Sequence, residues 1–195
     1  MDETSRLLEQ LLLCVLLPLW LLAGLADWAC HRVQRIEHSA GVKESLLHLA
    51  MLAEIGPAIV AALALQPTAG LLVWLLLACI AHELTTWWDL VYASSRRRIP
   101  PYEQWVHSLQ LASPWIGWAT LAVAHRPQAL AAFGLGDVAP DWGLRWRDPP
   151  LPAAVWFAVL AGATALVVAP LTGEYLRCRR ADRSRLVRAS QQRDA

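Results

Sequence analysis

Three carboxylate side chains each stand four residues ahead of a histidine. The pairs are Asp27 with His31, Glu44 with His48, and Glu103 with His107. Residues four apart in a helix lie one turn apart on nearly the same face. A carboxylate oxygen and an imidazole nitrogen placed in this way are suited to binding a transition-metal ion. Each pair is therefore predicted to offer two ligands to a metal site.

Four more ionisable residues lie inside strongly apolar stretches. His82 and Asp89 are seven residues apart, about two helical turns, and Glu83 adjoins His82. Glu54 lies in a different apolar stretch. An ionisable side chain near the middle of a membrane costs roughly 2.5 to 3.5 kcal/mol on insertion scales. Because neither stretch contains a Lys or Arg, we expect a bound cation to neutralise these carboxylates.

The candidate ligands are concentrated in one part of the chain. Five of the six histidines and seven of the sixteen acidic residues fall between positions 27 and 107. On an ideal helix Glu54 is rotated by about 80° from Glu44, so Glu54 and Glu83 are predicted to bridge ions or to orient a ligating histidine. Glu37 and His38, in a predicted loop, are further candidates that would close the site. The predicted metal-binding residues are Asp27, His31, Glu44, His48, Glu54, His82, Glu83, Asp89, Glu103 and His107.

The elements that would carry these residues are apolar segments long enough to cross a membrane. Apolar residues make up 56% of the 195 positions and charged residues 17%, a balance that excludes an ordinary soluble domain. Five segments approach the ~20 residues needed to span a bilayer as a helix. They cover residues 7–26, 45–65, 71–92, 106–124 and 152–171. We predict an all-α polytopic membrane bundle of five transmembrane helices, with the metal site in a four-helix core.

The distribution of basic residues predicts the orientation of this bundle. Thirteen of the seventeen Lys and Arg residues fall on the side that holds the C-terminus, and four fall on the other side. The positive-inside rule then places the N-terminus outside and the C-terminus in the cytoplasm, in a bacterial inner membrane. Residues 1–176 are predicted to form the bundle, and residues 177–195 an Arg-rich cytoplasmic tail that attracts membrane lipid.

Other parts of the chain give weaker signals. The segment Trp142–Trp146 is predicted to form a short helix at the outer membrane interface. His125 stands alone on the outer side and is predicted to be a surface residue. The four cysteines show no metal-binding or disulfide spacing, so we assign them to packing. A formal net charge of +1 argues against binding to nucleic acid.

Residues 27–107 resemble membrane-embedded non-haem di-iron proteins in their inventory of histidines and carboxylates. The Glu-x-x-x-His spacing differs from the Glu-x-x-His of soluble di-iron bundles. The adjacent histidines of membrane desaturases and hydroxylases are missing from this sequence. Residues 27–48 also look like a segment of small bacterial integral membrane proteins of unassigned activity. The resemblance implies a metal site and leaves the reaction open.

The expected function is that of a membrane oxidoreductase with a centre of two or three iron ions. It would use O2 to oxidise or hydroxylate a lipid-like or hydrophobic small molecule, with a separate electron donor. Zinc or manganese are the alternative metals, and zinc would make the protein a membrane hydrolase. A metal-ion transporter is a further alternative, although the ligands cluster on one side. A haem-binding electron carrier would leave seven acidic residues unexplained.

Overall fold

The computed structural model describes residues 3–193 as a bundle of long α-helices. The first helix is α1, Glu3–Gln34, with a π-helical turn at Leu12–Leu16. A short 3-10 helix, Ile36–His38, follows it. The remaining helices are α2 (Gly41–Ala64), α3 (Ala69–Arg96), α4 (Pro101–Ala124), α5 (Arg126–Ala131) and α6 (Ala153–Arg193), which has a π-helical turn at Thr164–Val168. The predicted all-α fold is confirmed, since the described residues form no strand.

Helix ends occur where the sequence supplies suitable residues. Arg35 ends α1 in the left-handed conformation, with φ of 53°, and Gly41 begins α2 with φ of 64°. The Thr68 hydroxyl accepts a hydrogen bond from the N–H of Leu71 at 3.2 Å and so caps α3. Pro101 is the first residue of α4, where a missing N–H is harmless. The short connections that result join consecutive helices at the ends of the bundle.

The five long helices form a closed ring. Helix α1 packs against α4 and α6, α2 packs against α3 and α6, and α3 packs against α4. Two clusters of buried apolar side chains stabilise this arrangement. One is centred on Leu71 and Leu72 of α3, and the other joins Leu21 of α1 to Val167 and Leu171 of α6. The ring encloses an interior that all five helices can supply with side chains.

Four helices of the described chain are long and apolar enough to cross a membrane. They are α1, α2, α3 and α6. Large apolar side chains on their outer surfaces are exposed, including Leu22, Leu77 and Phe157. Exposed apolar faces of this extent are typical of helices that contact lipid. The chain therefore has the features of a membrane protein, but α4 is not among these four helices, so five spans are not established.

The end of the bundle that carries the α2–α3 turn is covered by the segment between α5 and α6. The N–H of Gln66 donates a hydrogen bond to the carbonyl of Arg145 at 2.9 Å, and that of Gly70 donates to the carbonyl of Asp141 at 3.0 Å. The predicted helix at Trp142–Trp146 is wrong, because this segment is irregular and Trp146 forms an isolated bridge with Leu65. Its backbone groups bind the α2–α3 turn instead of one another.

The Arg-rich tail is a continuation of α6. The helix passes through position 177 without a break and reaches Arg193, with mostly exposed side chains beyond Cys178. Positions 1, 2, 194 and 195, which belong to the predicted bundle and tail, lie outside the described residues.

Candidate metal centre

One end of the ring brings together acidic residues and histidines from all five long helices. Eight residues form this group, which we call the ligand cluster. They are Asp27 and His31 of α1, Glu44 and His48 of α2, Asp89 of α3, Glu103 and His107 of α4, and Glu174 of α6. Seven of the eight are buried, and the His107 side chain is 12% exposed. All three predicted acid-x-x-x-His pairs thus meet in one place.

The first part of the ligand cluster surrounds Nε2 of His31. The nearest carboxylate oxygens are Glu103 Oε1 at 3.4 Å, Asp27 Oδ1 at 3.6 Å and Glu44 Oε1 at 3.8 Å. Asp27 Oδ1 also lies 2.9 Å from Nε2 of His107. One ligand atom from each of Asp27, His31, Glu103 and His107 lies within 4.8 Å of the other three. Atoms bound at ~2.1 Å to a common ion are about 3 to 4.2 Å apart, so these separations suit a metal ion.

The second part of the ligand cluster is built on two stacked histidines. The rings of His31 and His48 are nearly parallel, at 3°, with centroids 4.6 Å apart. Glu174 contacts both rings: Oε2 lies 3.1 Å from Nδ1 of His31, and Oε1 lies 3.4 Å from Nδ1 of His48. One carboxylate thus fixes the orientation of two imidazoles. Both rings keep Nε2 available for other partners.

The available nitrogen of His48 faces α3. Its Nε2 lies 3.3 Å from Oδ2 of Asp89. Beside this pair is a cavity of ≈ 70 Å³ whose lining includes His48, Asp89, His107 and His82. His82 is buried and belongs to the edge of the site. Glu44 is also within ligand distance of both stacked histidines, since His31, Glu44 and His48 form a second candidate metal-binding group.

Several polar atoms in this region are buried without a hydrogen-bond partner among the described residues. They are Nε2 of His31, Nδ1 of His82, Oδ1 of Asp89 and Nδ1 of His107. Each unsatisfied buried polar group costs about 1 to 3 kcal/mol, and structures rarely tolerate several together. Bound metal ions would engage nitrogen and oxygen atoms of this kind. The donor set of imidazoles and carboxylates therefore fits a metal centre.

Arg97 is a basic side chain that reaches two of the predicted ligands, Glu44 and Glu103. It follows the last residue of α3 and turns back into the bundle, where Nη2 lies 2.5 Å from Oε1 of Glu44 and of Glu103. Its Nη1 donates a hydrogen bond to Oε1 of Gln34 at 2.8 Å. Burial alone would lower the pKa of Arg97, but Glu103 and Glu44 raise it, so the guanidinium stays charged. Arg97 is therefore a permanent cation beside the predicted ligands.

One arginine does not balance the charge of the ligand cluster. The cluster contains five buried carboxylates, those of Asp27, Glu44, Asp89, Glu103 and Glu174. With neutral imidazoles, these five groups and the single guanidinium leave four negative charges, which two divalent cations would neutralise. Uncompensated charge is strongly unfavourable in a buried site. The cluster therefore needs further positive charge, from bound cations or from protonated histidines.

Besides His82 at the edge of the site, four predicted candidates lie outside the ligand cluster. Glu54 accepts a hydrogen bond from the Thr85 hydroxyl at 2.6 Å, and Glu83 accepts one from the Trp115 indole N–H at 2.9 Å. These neutral donors help to satisfy two acids for which the sequence suggested a cation. The other two candidates, Glu37 and His38, lie in the 3-10 helix.

The two loop candidates have local partners. Arg177 Nε donates a hydrogen bond to Glu37 at 3.2 Å, and His38 Nε2 lies 3.3 Å from Arg35 Nη2. Burial alone would raise the pKa of Glu37, but a backbone hydrogen bond and Arg177 hold it below its usual value. Glu37 is thereby engaged by α6 rather than by the ligand cluster.

His125 also differs from its prediction. It is not alone at the outer surface, because Nε2 lies 3.2 Å from Oε1 of Glu9, and its side chain is only 18% exposed. Glu9 binds Arg147 through its other oxygen, Oε2. This ion-paired group stands at the opposite end of α1 from the ligand cluster.

Sequence reasoning missed Glu174 and the inward position of Arg97. Glu174 follows the fifth apolar segment and has no histidine within four residues, so the pattern used for the other ligands does not detect it. Arg97 stands between two other arginines and looks like part of a solvated basic run.

Comparison with known proteins gives no match. No protein-family model, no curated protein and no solved structure is significantly similar to this chain.

Proposed function

We propose that this protein is a membrane oxidoreductase that binds two iron ions in the ligand cluster and uses O2 to hydroxylate a hydrophobic substrate. The observation that carries the proposal is the pair of stacked histidines. Glu174 contacts Nδ1 of both rings, while Nε2 of His31 and Nε2 of His48 face separate carboxylates. Metal-bound imidazoles typically have their second nitrogen engaged in this way by a carboxylate.

Two ion positions are proposed. The first would be held by Asp27, His31, Glu103 and His107. The second would be held by His48 and Asp89, with His82 at the edge of the adjoining cavity. Glu44, which is near both stacked histidines, would bridge the two positions.

The donor set favours iron. A mixture of imidazole and carboxylate ligands is typical of non-haem iron centres that activate O2. In the proposed reaction one oxygen atom is inserted into a substrate C–H bond to give an alcohol. The other atom is reduced to water with two electrons and two protons from an external donor. Arg97 and Gln34 would hold Glu44 and Glu103 in place throughout, since Arg97 contacts both carboxylates.

The membrane arrangement is part of this proposal. We propose that α4 is a fifth membrane-spanning helix. It has 24 residues and no Lys or Arg, and its one acidic residue and one histidine, Glu103 and His107, lie in its first two turns. Its exposed surface includes Ile116 and Val123. The asymmetry of basic residues supports a cytoplasmic C-terminus in a bacterial inner membrane. The ligand cluster would then lie near the cytoplasmic face, where a soluble electron donor can approach.

Elemental analysis and an optical spectrum of the protein purified without chelators test the proposal. We expect about two iron ions per chain, as in two-metal sites, and no Soret band. Zinc in place of iron would overturn the oxidoreductase assignment and favour the hydrolase. A Soret band would favour a haem carrier. Absence of any bound metal after growth in iron-supplemented medium would contradict the metal centre itself.

A further inference from the structure

An apolar cavity of the described chain adjoins the smaller cavity at the ligand cluster. It has a volume of ≈ 160 Å³ and is lined by residues of α1, α2, α3 and α4. Its lining is mainly aliphatic and aromatic, with Leu13, Ile55, Leu75 and Trp118 as representative members. An engineered apolar cavity of ~150 Å³ in a soluble protein stays dry and binds benzene. A cavity of this size and lining is therefore suited to hydrocarbon.

Trp20 separates this cavity from the ligand cluster. It lines the apolar cavity and also the smaller cavity of ≈ 70 Å³ bounded by His48, Asp89 and His107. No other residue lines both cavities. A molecule in the apolar cavity with one end against Trp20 would have that end next to the proposed metal centre.

Two polar side chains in the described wall of the cavity are already engaged by backbone carbonyls. The Ser113 hydroxyl donates to the carbonyl of Leu109 at 2.6 Å, and Cys79 Sγ lies 3.6 Å from the carbonyl of Pro114. Polar groups of a ligand would be left unpaired there, at a cost of about 1 to 3 kcal/mol each. The part of a ligand that fills the cavity must therefore be apolar.

The end of the cavity remote from the ligand cluster is polar. Glu9 and Arg147 line this end and bind one another, and His125 contacts Glu9. Glu9 and Trp20 are eleven residues apart on α1, which corresponds to about 16 Å. The cavity thus has a polar end, an apolar middle and an end at the proposed centre.

We infer that this cavity binds the substrate of the proposed centre, and that the substrate is a single-chain amphiphile. Its polar end lies at Glu9 and Arg147, its chain fills the cavity, and its methyl end points toward Trp20. The carbon atoms nearest the methyl end are then the ones presented for hydroxylation. This inference rests on the proposed function, because it takes the ligand cluster to be the reacting centre.

Photolabelling tests the inference. The metal-loaded protein in phosphatidylcholine nanodiscs is incubated with dodecanoic acid that carries a diazirine, placed near the methyl end in one probe and near the carboxyl end in another. We expect the methyl-end probe to label residues around Trp20 and Ile55, and the carboxyl-end probe to label residues around Leu12 and Arg147. The reverse pattern, or labelling confined to lipid-facing side chains such as Leu22 and Leu77, would overturn it.

Two cavity-filling variants and one matched control sharpen the result. A side chain at Gly117 would enter the cavity, since its Cβ would meet only Leu16 Cδ2, at 3.5 Å. Gly117→Leu and Ala62→Leu should each reduce cavity labelling several-fold. Gly162→Leu, on α6 and outside both cavities, should leave it unchanged. Equal labelling in all three variants, with retained helical content by circular dichroism, would contradict the inference.

A second probe and a metal measurement distinguish failure of the substrate assignment from failure of the proposed function. A phosphatidylcholine probe with the same diazirine chain should not label the cavity, and preferential labelling by that probe would assign the cavity to bilayer lipid and overturn the inference. Metal content is measured on every sample. Bound metal without cavity labelling would overturn the substrate assignment alone. Cavity labelling in protein that binds no metal would overturn the proposed function and retain only chain binding.

Discussion

His31 is the residue on which the two halves of the ligand cluster depend. Its Nε2 faces three carboxylates and its Nδ1 contacts Glu174, with 0% of the residue exposed. A histidine in this position belongs to both candidate metal-binding groups. Its removal therefore affects both proposed ion positions, whereas loss of His107 affects only the first.

The first prediction concerns this residue. His31→Ala should remove most of the bound metal, and His107→Ala should remove about half, because His107 belongs to one group only. His38→Ala is the matched control, since the His38 side chain is 53% exposed and lies outside the ligand cluster. Metal-to-protein ratios of detergent-purified variants measure the effect. A loss in His38→Ala equal to that in His31→Ala would refute the assignment.

Glu174 acts on the centre through the imidazoles that it contacts. Substitutions of such orienting carboxylates typically reduce metal affinity 10- to 100-fold. We predict a reduction of about this size for Glu174→Gln, because the amide cannot serve two Nδ1–H donors equally well. Glu83→Gln is the control, since Glu83 accepts its hydrogen bond from Trp115. Titration of the apoprotein with Fe²⁺ under anaerobic conditions gives the metal affinity of each variant. Equal affinities for Glu174→Gln and Glu83→Gln would contradict the role of Glu174.

At the scale of elements, the helix connections hold the two ends of the bundle in different ways. At the end that holds the ligand cluster, Arg97 follows α3 and joins Glu44 of α2 to Glu103 of α4. At the opposite end, the segment before α6 lies against the α2–α3 turn through backbone hydrogen bonds. This contact between the segment and the turn depends on the close approach of two backbones at Gly70.

A third prediction follows from that approach. A Cβ atom at Gly70 would lie 2.7 Å from the carbonyl oxygen of Trp142, so backbone would have to move. Overpacking of this kind costs about 1 to 3 kcal/mol, and Gly70→Ala should lower the thermal midpoint. Gly56→Ala is the matched control, because its nearest atom is Leu52 Cδ1 at 3.8 Å. Thermal unfolding in detergent compares the midpoints of the two variants. An unchanged midpoint in Gly70→Ala would contradict close contact between the backbones at Gly70 and Trp142.

At the scale of the whole molecule, the ligand cluster couples the stability of the ring to bound cations. All five long helices supply at least one member of the cluster. Without cations, the buried carboxylates must repel one another, take up protons or pair with charged imidazoles. Ligand binding to the folded state alone stabilises it by about 2.7 kcal/mol at a free-ion concentration 100 times Kd.

The fourth prediction is that a chelator lowers the thermal midpoint in a pH-dependent way. Metal binding requires deprotonated carboxylates and neutral imidazoles, so affinity weakens as pH falls. The difference in thermal midpoint between metal-loaded and chelated protein should therefore shrink as the pH is lowered from 8 to 5. Thermal unfolding across this range measures the difference. An identical midpoint in protein shown to have lost its metal would exclude a structural contribution of the ions.

The fifth prediction concerns orientation in the membrane. Thirteen of the seventeen basic residues lie on the side of the C-terminus, so a reporter fused there should be cytoplasmic. With α4 as a fifth span, a reporter fused to the N-terminus should report the opposite side. Alkaline phosphatase and green fluorescent protein fusions measure both positions. Termini on the same side would mean that the number of spans is even and that α4 does not cross the membrane.

The sequence by itself determined the helical fold, the membrane character and most of the ligand cluster. Long apolar segments in a bilayer must satisfy their backbone hydrogen bonds internally, which makes helices the expected elements. The four-residue spacing fixed each acid and histidine to one helix face. These are local properties, and local spacing is sufficient to predict them. For the same reason, Asp27, Glu44 and Glu103 could be identified together with their histidines.

Only the tertiary structure shows which helix faces pack against one another. Glu174 joins His31 and His48 across more than a hundred positions of sequence, and Arg97 turns inward to two acids on other helices. Glu54 and Glu83 were predicted to bridge ions or to orient a histidine, but neighbouring helices supply Thr85 and Trp115 as donors. The packing order of the ring sets these contacts. Periodicity within one helix carries no information about the side chains that a neighbouring helix presents, and for that reason the sequence indicated the ligands but not the residues that hold them.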